Sequence, residues 1–591
     1  MMETCPLGGF FRQHIVLGIG AEGLLGIGDD DGLPCQLVQV DRLPGPVGPG
    51  RKVRLLVPGG YPLHSRGHDP QIPAAEHLRP PEADGGGGVF SEEARHVSVV
   101  FENNSAGYMQ MPHVWLGGPR CYARQYLDHG LIYVSAGCRG RESRDREGRL
   151  VKGPCSLVDL KTAIRFLRRN REVLPGDWDR IISVGWSAGG AMSTLLAVTG
   201  DNENYIPYLE ANGAFLGESD AVYAAQIYCP IVDLEHADLA YEWMFRADQE
   251  NEDSPAGPAE VMTPFKQALS AVLARRYVAY FNGLGLRHPE TGESLRLNED
   301  GRSGSAYDYL MERLNDSASD YLTRLEAGEL PLACSAADYL SGNYTAKAPA
   351  PMGPKPQQDP GLHHAGPGVA LPGMPPAQDK PAAPPSLGDL VSRPPQGVVF
   401  EDRKPRFIDV PGTAKPWLSW DGHRAVVSDL DTYVLNHRRR MKPCTSFDKL
   451  TMDSGENQAF GTPERDYVHY APEIADAIGE LKDDFPEEYA RHYDAYASVA
   501  EDRALAERVR LLNPMSFIGT EEKSRQARHY RIRVGASDAD TSLSVAMTLA
   551  LKLRNAGCGT VDYALVWDQP HSEADYPGEV LSWIDSICEN A

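Results

Sequence analysis

Ile181-Ile182-Ser183-Val184 runs directly into Gly185-Trp186-Ser187-Ala188-Gly189-Gly190, and Ala191 to Leu196 continue with small and apolar residues suited to a helix. The pattern is a strand, a sharp turn and a helix with a serine at the apex. A serine held there has strained backbone geometry, and the flanking glycines are required because side chains beside it would collide. The chemistry this prepares is attack on an acyl carbon. Serine is a weak nucleophile at neutral pH, so an imidazole must accept its proton and a buried carboxylate must orient that imidazole and stabilise its cation. With 58 glycines in the chain, Gly-x-Ser-x-Gly alone is weak; a glycine-rich turn carrying an incidental serine is the competing reading, and the strand and helix around Ser187 weigh against it.

The partners must lie later in the chain, the acid before the histidine, each on a loop after a strand. Asp538 follows the apolar run 530–534, and His571 follows 563–567. Of the 17 histidines, His571 is the one that follows the last strand before a C-terminal helix. Asp540 and Asp568 are rivals for the acid, and the spacing of two allows Asp538 and Asp540 to face one pocket. Two backbone donors must also meet the oxyanion. Ala188 N–H, directly after the serine, is one; the loop 103–109, after the strand ending near Phe101, offers the second at Gly107, although an ordinary glycine turn would look the same.

These residues need a rigid frame. Short β-branched or apolar runs at 96–101, 131–135, 180–184, 224–228, 529–534 and 561–566 alternate with helical stretches such as 157–171 and 542–555, which predicts βαβ units and a mostly parallel sheet. The fold class is α/β, and with the elbow at Ser187 it is an α/β-hydrolase fold. Residues 33–234 form the first part of this core and 513–591 the second. The block 235–512, with helices over 264–280 and 306–327, reads as an inserted lid or substrate-binding domain covering the crevice at the carboxyl ends of the strands. Within it, 348–395 holds 14 of the 46 prolines and reads as a disordered loop. Residues 1–32 read as a disordered N-terminal extension.

Composition narrows the partners. The chain has 591 residues, 42% hydrophobic and 24% charged, enough for a large core. Its 58 basic and 82 acidic residues leave a net charge of −24, which repels phosphate backbones and anionic lipid. Neither nucleic acid nor a membrane is expected as a partner. The apolar stretch 15–28 is too short to span a bilayer and lacks a basic flank or cleavage site, so the expected location is the cytoplasm. The ten cysteines form no Cys-x-x-Cys pair and no Cys/His group at metal spacing, so free thiols, no metal and no cofactor are expected.

Several segments together resemble bacterial tannases (tannin acylhydrolases): Gly185 to Ala191, Asn204 to Leu209, Tyr228-Cys229-Pro230-Ile231, Asp238 to Trp243, Arg531 to Gly535 and Asp538 to Thr541. The resemblance covers most of the chain from about Leu37, except the proline-rich segment and part of the helical insertion. It implies an α/β-hydrolase core with a large lid, cleavage of galloyl esters, and a triad of Ser187, Asp538 and His571. It further implies that Lys442, Glu456 and Asp540 contact the galloyl ring. Two carboxylates and an ammonium suit three adjacent phenolic hydroxyls. Without the resemblance, Lys442 belongs to a basic run, Arg438 to Lys442, of the kind that usually forms a solvated face. Fungal tannases carry cysteines beside the nucleophile and the histidine; Trp186 and Ser572 stand there, so the fungal type is excluded.

The expected activity is therefore that of a serine esterase hydrolysing galloyl or related hydroxybenzoyl esters, with a small aromatic ester as its partner. A feruloyl esterase or broad carboxylesterase shares the triad but needs a less polar acyl pocket. A catalytically silent hydrolase fold used for binding is a third reading, weakened by the presence of every triad residue. The oligomeric state is not legible.

Overall fold

The computed structural model describes residues 93–589 apart from 104, 112–122, 146, 147, 173, 252–259 and 345–415, together with four strands nearer the start. Ten strands form one sheet: β1 (Ile15–Ile19), β2 (Gly23–Ile27), β3 (Gln36–Val40), β4 (Val53–Val57), β5 (Ser98–Glu102), β6 (Ile132–Ala136), β7 (Asp177–Trp186), β8 (Ala224–Tyr228), β9 (His529–Gly535) and β10 (Thr560–Val566). Their order is β10-β9-β8-β7-β5-β6-β1-β2-β3-β4. The six from β5 onward pair in parallel, and β1 to β4 join antiparallel to one edge. Parallel strands covered on both faces are apolar throughout, and all five residues of β5, β6 and β8 are buried.

One face is covered by α1 (Cys155–Arg169), α2 (Ala188–Val198) and, from late in the chain, Leu543–Asn555, which share one core with the strands. The helices Ala123–Asp128 and Glu579–Glu589 cover the other face. In α1 the residues Leu157, Leu160, Ala163, Ile164 and Leu167 are all fully buried, at the helical spacing that marks an amphipathic face. This is an α/β-hydrolase architecture with a mostly parallel sheet.

Residues 229–528 leave the sheet at β8 and return at β9, which pairs directly with β8. The first helix of this excursion, α3 (Leu234–Phe245), packs against α4 (Pro264–Gly283). Farther on, α5 (Ser305–Glu326) packs on β10 and on the hairpin formed by Leu418–Trp420 and Ala425–Val427. The segment thus folds back onto the carboxyl end and one edge of the sheet.

The stretch 1–32, read as a disordered extension, supplies β1 and β2; its remaining residues lie outside those described. Two five-residue apolar runs three residues apart make a hairpin as readily as an irregular tail, and β1 joins the main sheet through β6, more than a hundred residues away. The proline-rich segment 348–395 lies outside the described residues. Among the described residues no helix is long and apolar enough to cross a membrane, and Cys138, Cys155, Cys229, Cys334, Cys444, Cys558 and Cys588 are free thiols.

Candidate active site

Ser187 sits at the end of β7, immediately before α2, with φ 60° and ψ −128°. That strained conformation is over-determined by its surroundings. Its N–H donates to Tyr228 O at 3.1 Å, and its carbonyl accepts from Ile231 N at 3.2 Å, so the turn is anchored to the end of β8. The glycines are there for space. A Cβ on Gly185 would lie 2.3 Å from Gly189 O, one on Gly189 2.5 Å from Asn103 O, and one on Gly190 2.6 Å from Tyr228 O. Every one of these obstacles is backbone. The Gly189→Ala variant is expected to lose about 1–3 kcal/mol of stability, read as a lower urea midpoint; an unchanged midpoint would show that the elbow can relax.

His571 Nε2 is 2.8 Å from Ser187 Oγ, and its Nδ1 is 2.8 Å from Asp538 Oδ2. The three side chains form one hydrogen-bonded chain, assembled from loops after β7, β9 and β10. Of the rival acids, Asp568 accepts from the Tyr321 hydroxyl at 3.0 Å, away from the histidine. Asp540 donates its backbone N–H to Asp538 Oδ1 at 2.8 Å and contributes only its field to His571. Arg438 Nη2 lies 3.9 Å from Asp538 Oδ1, with neither side chain exposed, and donates to Thr541 O.

Burial alone would raise the Asp538 carboxyl, but the His571 imidazole, its hydrogen bond and the Arg438 guanidinium hold it below the usual carboxylate range. Burial would likewise lower His571, yet the Asp538 carboxylate raises it well above the ordinary imidazole value. The neutral imidazole is the form able to accept a proton. Activity that depends on it is therefore expected to increase as pH rises through this elevated pKa. In Asp538→Asn the acidic limb of kcat/KM should move to lower pH while kcat falls on the order of 10⁴-fold; a limb that stays in place would rule out the pairing as its cause. The stabilities run oppositely. The histidine's contribution is complete below its unfolded pKa and lost as pH rises through its folded one, whereas the aspartate's is complete above its unfolded pKa and lost as pH falls through its folded one.

Ala188 occupies the first turn of α2, where N–H groups have no intrahelical partner. Gly107 lies in the turn Ala106–Tyr108 with φ 57°, a left-handed conformation that suits glycine. This turn packs against both α2 and the short helix Gly455–Ala459 that carries Glu456. It is tied to the elbow through Asn103, whose side-chain amide donates to Ser183 Oγ at 3.1 Å and Ser193 Oγ at 2.7 Å. Glu456 lies close enough to raise the Tyr108 and Tyr470 hydroxyls by its charge, after the larger effect of their burial.

The structure is similar to solved bacterial tannases. The tannin acyl hydrolase of Lactobacillus plantarum shares 28% identity over 84% of this chain and 86% of that one, with a TM-score of 0.61. The same enzyme in complex with ethyl gallate gives 28% identity over 84% and 86%, with a TM-score of 0.58. The Fusobacterium nucleatum tannase gives 26% over 84% and 87%, with a TM-score of 0.61. The family model BD-FAE matches residues 146–254, which include the elbow and α3. The chain is a tannase-like carboxylic ester hydrolase. No curated protein matches its sequence.

In this hydrolase Lys442 and Asp540 sit on two separate loops and Glu456 on the short helix Gly455–Ala459, each half-buried. No hydrogen bond or ion pair joins the three side chains to one another among the described residues; the Lys442 ammonium rests 3.9 Å over the Phe447 ring. Buried groups behind them hold their loops. The Tyr241 hydroxyl donates to Ala539 O at 3.0 Å and accepts from Met441 N and Lys442 N, both at 3.1 Å, so one oxygen joins the Asp540 loop to the Lys442 loop. Asp238 accepts the backbone N–H groups of Ser446 at 2.5 Å and of Phe447 and Asp448 at 2.9 Å. Asp448 then accepts from Asn457 Nδ2 at 2.7 Å, His469 Nδ1 at 2.6 Å, Tyr470 N at 2.7 Å and Ala471 N at 2.9 Å, which fixes the helix carrying Glu456.

Sequence reading missed Tyr241, Asp238, Asp448 and Arg438. The basic run is no solvated face: Arg438 and Arg440 are buried, Arg440 pairs with Glu242 and Arg439 with Asp248 at 2.6 Å. A signal did exist, since from Ala237 to Phe245 α3 carries Asp238 and Glu242, four residues apart, as its only charged residues, and buried acids need partners. Tyr241→Phe leaves two N–H groups without their acceptor at about 1–3 kcal/mol each. It is expected to raise KM for an aromatic ester more than for an acetate ester; equal effects would reduce Tyr241 to a core residue.

Proposed function

We propose that the hydrolase cleaves galloyl and related hydroxybenzoyl esters to the free aromatic acid and an alcohol, through an acyl-enzyme on Ser187. The observation that carries this reading is the hydrogen-bonded chain Ser187–His571–Asp538 together with Lys442, Glu456 and Asp540, whose charged groups make no hydrogen bond or ion pair among the described residues. The relatives' bound ethyl gallate and 3,4-dihydroxybenzoate support the substrate class.

Ser187 Oγ attacks the ester carbonyl as its proton passes to His571 Nε2, while Asp538 holds the ring and faces the imidazolium. The oxyanion is received by the N–H groups of Ala188 and Gly107. His571 then gives the proton to the departing alcohol, and water, deprotonated by the same imidazole, releases the aromatic acid. Glu456 and Asp540 accept hydrogen bonds from the ring hydroxyls, and Lys442 contacts the same oxygens. The inserted region 235–512 acts as the lid that brings Lys442 and Glu456 to the core. A ring fixed at three hydroxyls presents its carbonyl in one orientation, converting ring binding into positioning of the reacting carbon.

The test is release of gallic acid from methyl gallate, with methyl ferulate and p-nitrophenyl acetate alongside. The expected result is a kcat/KM for gallate well above both others. A preference for ferulate would replace the substrate class with hydroxycinnamoyl esters, and turnover of acetate alone would remove the roles given to Lys442, Glu456 and Asp540.

A further inference from the structure

Cys229 takes no part in the chemistry above, yet it lies against it. It is fully buried just after β8, with a left-handed φ of 34° that a β-substituted residue adopts only under constraint. Its N–H donates to Arg533 O at 2.8 Å, and its thiol donates to Ser572 O at 3.3 Å, the residue next to His571. The thiol sulfur, a carboxylate oxygen of Asp538 and a ring nitrogen of His571 all lie within 4.8 Å of one another. Among the described residues no other three histidine, cysteine or acidic side chains converge so closely.

Sulfur, nitrogen and oxygen donors in one small cluster form the ligand set of a thiophilic divalent ion. Zn²⁺ takes Cys at about 2.3 Å, His at about 2.0–2.1 Å and a carboxylate at about 2.0–2.2 Å, in tetrahedral geometry. Three donors leave one position for solvent, and the partly exposed His571 side chain, at 18%, opens the cluster to the cleft. We propose that Cys229, Asp538 and His571 form an inhibitory site for a thiophilic divalent cation such as Zn²⁺ or Cd²⁺. This rests on the catalytic reading of Ser187, His571 and Asp538.

The ion takes the Cys229 thiolate, releasing the thiol proton to solvent, and takes the Nδ1 lone pair on the ring edge facing Asp538. The proton of a neutral imidazole then resides on Nε2, so that Nε2 donates to Ser187 Oγ instead of accepting from it. The serine keeps its proton and the nucleophile is switched off, with no oxidation and no covalent change. Removal of the ion restores the Nδ1–H tautomer.

The experiment uses the full chain and CdCl₂, read in two ways. The first is the ultraviolet thiolate-to-cadmium absorption, which needs no substrate; the second is p-nitrophenyl acetate hydrolysis with and without the ion, and after excess EDTA. Wild type is expected to gain the absorption band and lose activity together, with EDTA reversing both. Removing an outer-sphere partner costs 10–100-fold in metal affinity, so in Cys229→Ala the concentration giving half-inhibition should rise by about 100-fold or more, and the band should lose the contribution of one thiolate. Cys229→Ser, closer in size, guards against a folding defect, with the thermal midpoint checked for both variants. Half-inhibition unchanged in both variants, or a band unaltered by them, overturns the site. Ser187→Ala separates the two proposals: it should keep the band in full while showing no turnover, whereas turnover retained in Ser187→Ala would overturn the catalytic reading and leave the absorption as the test of the cation site.

Discussion

Ser187→Ala is expected to lower kcat for methyl gallate by on the order of 10⁴-fold or more, with gallic acid binding unchanged by calorimetry. The magnitude follows from the role. On the proposed mechanism, removing the nucleophile abolishes the acyl-enzyme route altogether and leaves only what the oxyanion donors and substrate binding contribute over water. Ser187 is held at φ 60° by backbone contacts on both sides of the turn, and alanine fits that frame, so the loss should appear without a change in thermal midpoint. Residual turnover within tenfold of wild type would show that another group delivers the nucleophile. Because His571 bonds both Ser187 and Asp538, the losses in Ser187→Ala and Asp538→Asn should not add in the double variant, since residues acting as one unit fail together.

The second large effect concerns substrate choice. Glu456→Gln is expected to reduce kcat/KM for methyl gallate by roughly 10- to 150-fold, the worth of a hydrogen bond to a charged group at about 1.5–3 kcal/mol, while p-nitrophenyl acetate hydrolysis changes by no more than about twofold. Glu456 lies in the short helix against the Gly107 turn, held by Asp448 through Asn457, and it makes no contact with Ser187, His571 or Asp538 among the described residues. A carboxylate accepts two phenolic hydrogen bonds, whereas the amide that replaces it presents one donor edge to hydroxyls that also need acceptors. Acetate has no ring and is blind to the change. Equal losses on both esters would mean that Glu456 supports the fold of the site instead of reading the ring.

Much of the core was legible in the sequence. The parallel strands begin and end within a few residues of the apolar runs that predicted them, and α1 follows its 3.6-residue spacing. The elbow was legible for a related reason: the collisions that require Gly185, Gly189 and Gly190 arise from a turn whose shape is set by a few neighbouring residues. The antiparallel strands β1 to β4 were not legible, because a five-residue apolar run becomes a strand only when an edge such as β6 accepts it. The pairing of the arginine run was not legible because its partners, Glu242, Asp248 and the Asp538 loop, lie about a hundred to two hundred residues distant, and charge patterning along a chain says nothing about pairs closed across such loops.

The sequence by itself determined the α/β class, the strand–elbow–helix around Ser187, and the chain order of acid before histidine, since periodicity, glycine placement and strand order are properties of neighbours along the chain. Tertiary structure alone decided that Asp538, and neither Asp540 nor Asp568, bonds His571; that Tyr241 ties the Asp540 loop to the Lys442 loop; and that Cys229 rests beside the histidine. Each of these depends on a few ångströms between groups brought together by the packing of the sheet and the 229–528 excursion, and hydrogen bonds and metal coordination fail beyond that distance.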